Sequence, residues 1–167
     1  MSDMRYRITE SAGFRLAGVK FPVSVENGTD YNVIPSIWNS VPKETFDRLL
    51  SLSDSEPTGV LGVFGEKHYN GSVYTGFDYW IAASTTKPCP DDFEVIGIPA
   101  ATWAVFEAKG PLPGSIQDVF KRLYSEWFAT AEYARRWDVY EIEWFSIGIP
   151  TSSGYICEAW VPVVKKI

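Results

Sequence analysis

An internal repeat restricts the fold of this chain more than any composition figure, because each copy has to form the same supersecondary unit. A displacement of 87 positions lays Tyr6-Arg7-Ile8 over Phe93-Glu94-Val95, and Leu16-Ala17-Gly18-Val19 over Trp103-Ala104-Val105-Phe106. A helical pattern follows in each half. In the first, Ile34, Ile37, Trp38 and Val41 recur at i, i+3, i+4, i+7. Pro42 is expected to break or kink that helix, with Phe46, Leu49 and Leu50 continuing an apolar face to about Leu52. In the second half Ser115 reads as an N-cap with Asp118 three residues on, and Ile116, Val119, Phe120, Leu123 and Trp127 form the stripe.

Two strand-like runs follow each helix, now aligned by a displacement of 80: Gly59 to Gly65 with Val139 to Phe145, and Phe77 to Ile81 with Cys157 to Val161. The change of displacement is a loop deletion between helix and strand. Lys87-Pro88-Cys89-Pro90 reads as a connector and Gly110-Pro111-Leu112-Pro113-Gly114 as a turn. The expected fold is therefore α+β: two strand–helix–strand–strand units related by a pseudo-two-fold axis, with antiparallel sheets, helices on one face and a ligand groove on the other. Neither half has enough core to stand alone, so residues 1–167 are read as one domain with pseudo-repeats at about 5–86 and 92–165. The seam between the halves is the expected place for a pocket.

Aromatic residues make up 16% of the chain, including 7 Trp and 9 Tyr, a surplus that points to a large core, a binding surface or both. The formal net charge of −6 argues against a nucleic-acid partner, which needs clustered Lys and Arg, and mildly favours cations. Cys89 and Cys157 are lone cysteines, and the opening Met1-Ser2-Asp3-Met4-Arg5-Tyr6 carries no apolar signal core. No stretch reaches transmembrane length, so no membrane partner is expected and a reducing cytoplasm is the expected compartment. A single histidine, His68, argues against a zinc site or a Ser–His–Asp triad and reads as a surface loop residue. No GxGxxG or GKT pattern is present, so no cofactor is expected.

Strand side chains alternate between faces, which pairs Asp78 with Trp80 and, at the aligned positions, Glu158 with Trp160. Glu141, Glu143 and Phe145 share one face of another strand, while Tyr140, Ile142 and Trp144 share the other. The more apolar set should meet the helices, leaving the acids toward the groove or toward water. A carboxylate beside an aromatic ring is what recognition of a lipophilic cation needs: the ring contributes about 0.5–2 kcal/mol of cation–π attraction and the acid supplies the counter-charge. Trp103, on a strand between Ala101 and Val105, is a further candidate wall; Trp38, on the first helix's apolar stripe, favours the core. Tyr79, between Asp78 and Trp80, completes the candidate set. Tyr69 and Tyr74 flank the turn pair Asn70-Gly71 and read as loop residues or a mobile lip.

Ile34 to Trp38, the segment FEVIGIPAATWAVFEAKG from Phe93 to Gly110, the acid after an aromatic at Tyr140-Glu141, and the ending CEAWVPV together resemble the GyrI-like small-molecule-binding family. This is the effector-binding domain of AraC- and MerR-type multidrug-responsive regulators, also found as free-standing proteins. The resemblance runs from about Arg5 to Lys165. It implies a duplicated βαββ architecture of the SHS2 type, with a groove that takes lipophilic cationic drugs between stacked aromatics and a buried glutamate. The aromatic–Glu strand motif maps onto Glu141; two residues on, Glu143 stands where the family commonly has Tyr. The chain opens almost at the first strand, so it is not expected to bind DNA itself.

The leading expectation is non-catalytic binding of a hydrophobic cation, for sensing or sequestration, with Glu141 as first anchor, Glu143 and Glu158 as further acids, and Trp80, Trp103 and Trp160 as walls. Some free-standing members implied by the resemblance hydrolyse strained, cyclopropanoid-type electrophiles, and Glu141 with Glu158 would then activate water. A protein-interaction role such as gyrase modulation is the third reading. A protein partner, and a monomer or a homodimer, are all compatible with the sequence.

Overall fold

The computed structural model describes residues 4–25 and 33–167; Met1 to Asp3, part of the opening read above for a signal core, lie outside the described residues. The chain forms two compact units, Phe14–Ile98 and Met1–Gly13 with Pro99–Ile167. Both are antiparallel sheets carrying few helices, an α+β arrangement. No helix among the described residues is long and apolar enough to cross a membrane.

The Phe14–Ile98 unit contains β2 (Phe14–Ser24), α1 (Val33–Ser40), α2 (Lys43–Leu52), β3 (Leu61–Asn70), β4 (Val73–Ser84) and β5 (Glu94–Ile98). Its strand order is β3-β4-β2-β5, all antiparallel. Pro42 stands at the N-cap position of α2, so the chain bends between the helices as expected; Pro has no N–H to lose there. The register pairs Ala17 with Ala83, Val19 with Ile81 and Phe21 with Tyr79. These odd positions pack with Ile37, Leu49 and Leu52 from the helices. The even positions, Asp78 and Trp80 among them, take the opposite face. At Gly18 a Cβ would lie 2.6 Å from Ala82 Cα and closer still to the Ile81 carbonyl, so β2 and β4 approach more tightly than any side chain there permits.

The hairpin of β3 and β4 runs further than expected. Tyr69 and Tyr74 are cross-strand partners with ring centroids 5.7 Å apart, the turn is carried by Gly71 at φ 63°, and His68 pairs with Gly76 inside the ladder. The loop assignments of Tyr69, Tyr74 and His68 are thereby corrected: cross-strand aromatic contact extends the ladder to the Asn70–Val73 pair.

The other unit contains β1 (Tyr6–Ser11), β6 (Ala101–Lys109), α3 (Gly114–Arg122), a π-helical turn at Leu123–Trp127, α4 (Phe128–Thr130), β7 (Tyr133–Arg135), β8 (Glu141–Phe145) and β9 (Ile156–Lys165). Its order is β1-β6-β9-β8, again antiparallel, with β7 on the far end of β9. Ala104, Phe106 and Ala108 from β6 and Cys157, Ala159, Val161 and Val163 from β9 pack with Ile116, Val119 and Leu123. Ser115 is not the N-cap: α3 begins at Gly114, Pro113 holds the cap position, and the Ser115 N–H donates to the Pro111 carbonyl, so the turn's own backbone closes the helix start.

Candidate functional site

On the face of the Met1–Gly13/Pro99–Ile167 unit that points away from its helices, four strands present a block of aromatic, acidic and basic side chains. Register places Arg7 opposite Val105, Trp160 opposite both Val105 and Ile142, Glu158 opposite Glu107 and Trp144, and Trp103 opposite Thr9 and Pro162. Facing residues of antiparallel strands share a side, so Arg7, Trp103, Trp144, Glu158 and Trp160 lie together.

Their contacts are specific. The Trp160 Nε1–H donates to Glu158 Oε1 at 3.1 Å, and Arg7 Nη1 donates to Glu158 Oε2 at 2.6 Å. The Arg7 guanidinium carbon also lies 5.7 Å from the Trp160 ring centroid. Trp103 meets Trp160 edge-on at 5.8 Å and is anchored by its Nε1–H to Ser11 Oγ at 2.9 Å. Trp103 is fully buried and Trp160 is 7% exposed. The Glu158 side chain keeps 15% of its surface, whereas that of Arg7 keeps 53%. A largely buried carboxylate, hydrogen-bonded to an indole, thus holds a cation against the same indole.

Glu141 sits elsewhere. On β8, Glu143 is opposite Ala159 and Phe145 opposite Cys157, both helix-facing partners, while Ile142 and Trp144 are opposite Trp160 and Glu158. The expectation for β8 is therefore reversed: the acid-bearing face meets the helix side, and the apolar face looks away from it. The physical reason lies in the partners that Glu141 finds there. Tyr124 from the π-helical turn donates its hydroxyl to Glu141 Oε2 at 2.6 Å, and Arg135 Nε donates to the Tyr124 oxygen at 3.1 Å. Arg135 lies 3.9 Å from Glu141, with only 8% and 15% of the two side chains exposed. It also donates to the carbonyls of Arg136 and Val139 and underlies Trp137, 4.9 Å from the ring centroid. Burial, reinforced by the negative charge of Glu141 and the bond to it, pushes the Tyr124 hydroxyl well above its ordinary range against the opposing pull of Arg135. Glu143 is 5% exposed on this same side.

In the Phe14–Ile98 unit, Asp78 and Trp80 do share a face. Asp78 is 7% exposed and lies 2.8 Å from His68 Nε2; Lys20 lies 6.0 Å from the Trp80 ring centroid. Trp38 and Tyr79 belong to the core instead, the indole donating to the Tyr79 oxygen at 2.8 Å. The structure thus brings Trp103, Glu158 and Trp160 together, groups Asp78 with Trp80, and sets Glu141, Glu143, Trp38 and Tyr79 on helix-facing sides. Sequence reasoning missed Arg7, Tyr124 and Arg135. Arg7 and Glu158 stand 151 positions apart, and no local spacing announces that pair. Among the described residues no group of three or more His, Cys, Asp or Glu is placed to hold a metal.

Comparison with solved structures gives the same fold at low identity. SAV2435 bound to tetraphenylphosphonium superposes with a TM-score of 0.81 at 22% identity, over 96% of this chain and 94% of that one. The C-terminal domain of EcmrR gives 0.63 at 18%, over 98% and 99%. An integron cassette protein from the mobile metagenome of Vibrio cholerae gives 0.62 at 16%, over 95% of each chain. No curated protein matches. Residues 4–164 match the family described as GyrI-like small molecule binding domain, which spans both sheets and the whole acid–aromatic block. The chain belongs to the GyrI-like small molecule binding domain family.

Proposed function

We propose that this small-molecule-binding domain takes a lipophilic organic cation at the corner formed by Glu158 and Trp160, with Trp103 supporting the ring and Trp144 alongside. One observation carries the reading: the corner already holds a cation, Arg7, by both of the interactions an organic cation would use, a carboxylate contact at 2.6 Å and an indole face at 5.7 Å. The Trp103 contact and the Trp160–Glu158 hydrogen bond fix ring and carboxylate before any ligand arrives, which lowers the ordering cost of binding. That SAV2435 was solved with tetraphenylphosphonium supports a cation of this class. Asp78 and Trp80, which share a face in the other unit, have separate partners there, His68 for the acid and Lys20 for the ring, and are left out of the site. Glu141, Glu143, Trp38 and Tyr79 are assigned to holding the fold.

The test is titration of the full chain with tetraphenylphosphonium, read by tryptophan quenching, beside the neutral triphenylphosphine oxide. The cation is expected to bind and the neutral compound to bind about tenfold or more weakly, with Glu158→Gln erasing the difference; tenfold corresponds to about 1.4 kcal/mol. Equal affinity for both compounds, or a Glu158→Gln protein that keeps the preference, refutes the assignment. Mass analysis after incubation with a cyclopropane-bearing electrophile separates binding from the hydrolase reading, since only hydrolysis adds the mass of water.

A further inference from the structure

We infer that Arg7 is a displaceable cover: it occupies the ligand corner in the free protein, and a cation binds by replacing it on Glu158 and Trp160. The inference rests on the proposed function and adds how the site is controlled.

Trp160 is 7% exposed and the Glu158 side chain 15%, so little ring or carboxylate is presented to a ligand as the corner stands. Arg7 is the open member, at 53%. It lies on β1, which pairs with β6 through its backbone, so its side chain can leave while the strand stays in register. It contacts the two oxygens of Glu158, at 2.6 and 3.5 Å, and the Trp160 ring, all groups that a ligand would claim. An arginine fixed for structure is held differently: Arg135 is 8% exposed and tied to Tyr124 and two backbone carbonyls.

The energetics suit a cover that leaves. An ion pair between a largely exposed arginine and a carboxylate favours the covered corner over the free one by only about 1.5- to fivefold, enough to keep the corner mostly occupied and too little to lock it. A resident cation also removes the cost of leaving Glu158 half-desolvated without a counter-charge. The ligand meets a threshold, because its apparent affinity is reduced by the fraction of molecules in which the corner is free. A bulky aromatic cation crosses that threshold by adding ring contact that a guanidinium lacks, whereas a small hydrophilic cation only exchanges one charge for another.

The experiment compares tetraphenylphosphonium binding to the wild type, Arg7→Gln and Arg5→Gln. Arg5 lies two residues away on the same side, paired with Glu107 at 3.5 Å, and its removal changes net charge equally without touching Glu158. Arg7→Gln is expected to bind about two- to sixfold more tightly than wild type, and Arg5→Gln to stay within about 1.5-fold of it. Methylguanidinium at matched ionic strength should compete more strongly in Arg7→Gln, where the corner is vacant. Unchanged or weaker binding in Arg7→Gln, or an equal gain in Arg5→Gln, overturns the cover while wild-type binding lost in Glu158→Gln leaves the site itself standing. Absence of binding in both wild type and Arg7→Gln removes the site and the cover together. Far-ultraviolet circular dichroism checks that each variant keeps its sheet.

Discussion

Replacing Tyr124 by Phe deletes one oxygen from the cluster that holds Glu141 on the helix side of β8. That oxygen donates to the carboxylate at 2.6 Å and accepts from Arg135 at 3.1 Å, so the change removes two hydrogen bonds to charged partners. Such bonds contribute about 1.5–3 kcal/mol each when water is excluded. Tyr124 is 41% exposed, so water replaces part of what is lost, and the expected net cost is about 1–2 kcal/mol. For a chain of this length that lowers the unfolding midpoint by about 2–8 °C. The pH dependence adds a second check. Burial and Glu141 hold the Tyr124 hydroxyl above its ordinary value of 10.0, so the folded state keeps its proton longer than the unfolded state does. The tyrosine's contribution is complete below about pH 10 and is lost progressively as the pH rises beyond it, where the unfolded chain ionises first. Thermal unfolding of wild type and Tyr124→Phe followed at pH 8 and pH 11 should therefore give a gap that narrows on going alkaline; the other tyrosines and lysines are common to both proteins and cancel. A variant within 1 °C of wild type at pH 8, or a gap that widens at pH 11, refutes the brace.

Gly18→Ala should cost about 3 kcal/mol in denaturant unfolding, because the new methyl would meet the backbone of Ile81 and Ala82, while Gly97→Ala, with nothing within 4 Å, should be neutral or slightly stabilising; equal effects would contradict the β2–β4 approach. Cys157 is buried and its thiol is pushed up to about 12 by desolvation, whereas Cys89 is half-buried, so Ellman's reagent should find one reactive thiol in the native protein and two in denaturant; two fast thiols in the native state would refute the burial of β9. The Glu158→Gln and Arg7→Gln titrations described above complete the set.

Much of the fold was legible because strand parity survives the two displacements found in the sequence. Moving by 87 carries the helix-facing Ala17 and Val19 onto the helix-facing Ala104 and Phe106, and moving by 80 carries Phe77, Tyr79 and Ile81 onto Cys157, Ala159 and Val161. Positions matched by the two displacements therefore fall on helix-facing sides. The placement of β1 was less legible. Counted with the first half by sequence, it pairs with β6, while β5 pairs with β2, and two such short edge strands carry little pattern of their own. β8 misled for a different reason. Ranking its faces by apolar content assumes that acids avoid the helix side, yet Tyr124 and Arg135 satisfy Glu141 there. Both partners reach it through the chain path after α3, beyond what five residues of alternation can convey.

Glu141 and Glu158 were proposed on one argument, that an acid beside an aromatic awaits a cation, and each does have an aromatic hydrogen-bond donor and an arginine. What separates them is how the arginine is held. Arg135 is buried to 8% exposure, bound to a phenol and two carbonyls, and stacked against Trp137; removing it would strand several groups at once, so it stays. Arg7 is 53% exposed, and its contacts with Glu158 and Trp160 are ones that another cation can take over without unpairing the protein. A glutamate, an aromatic donor and an arginine therefore make a permanent brace in one place and, on the proposed reading, an exchangeable site in the other. Composition and strand alternation are blind to that difference, because it resides in the burial and the number of partners of the arginine, six positions from its acid in one case and 151 in the other.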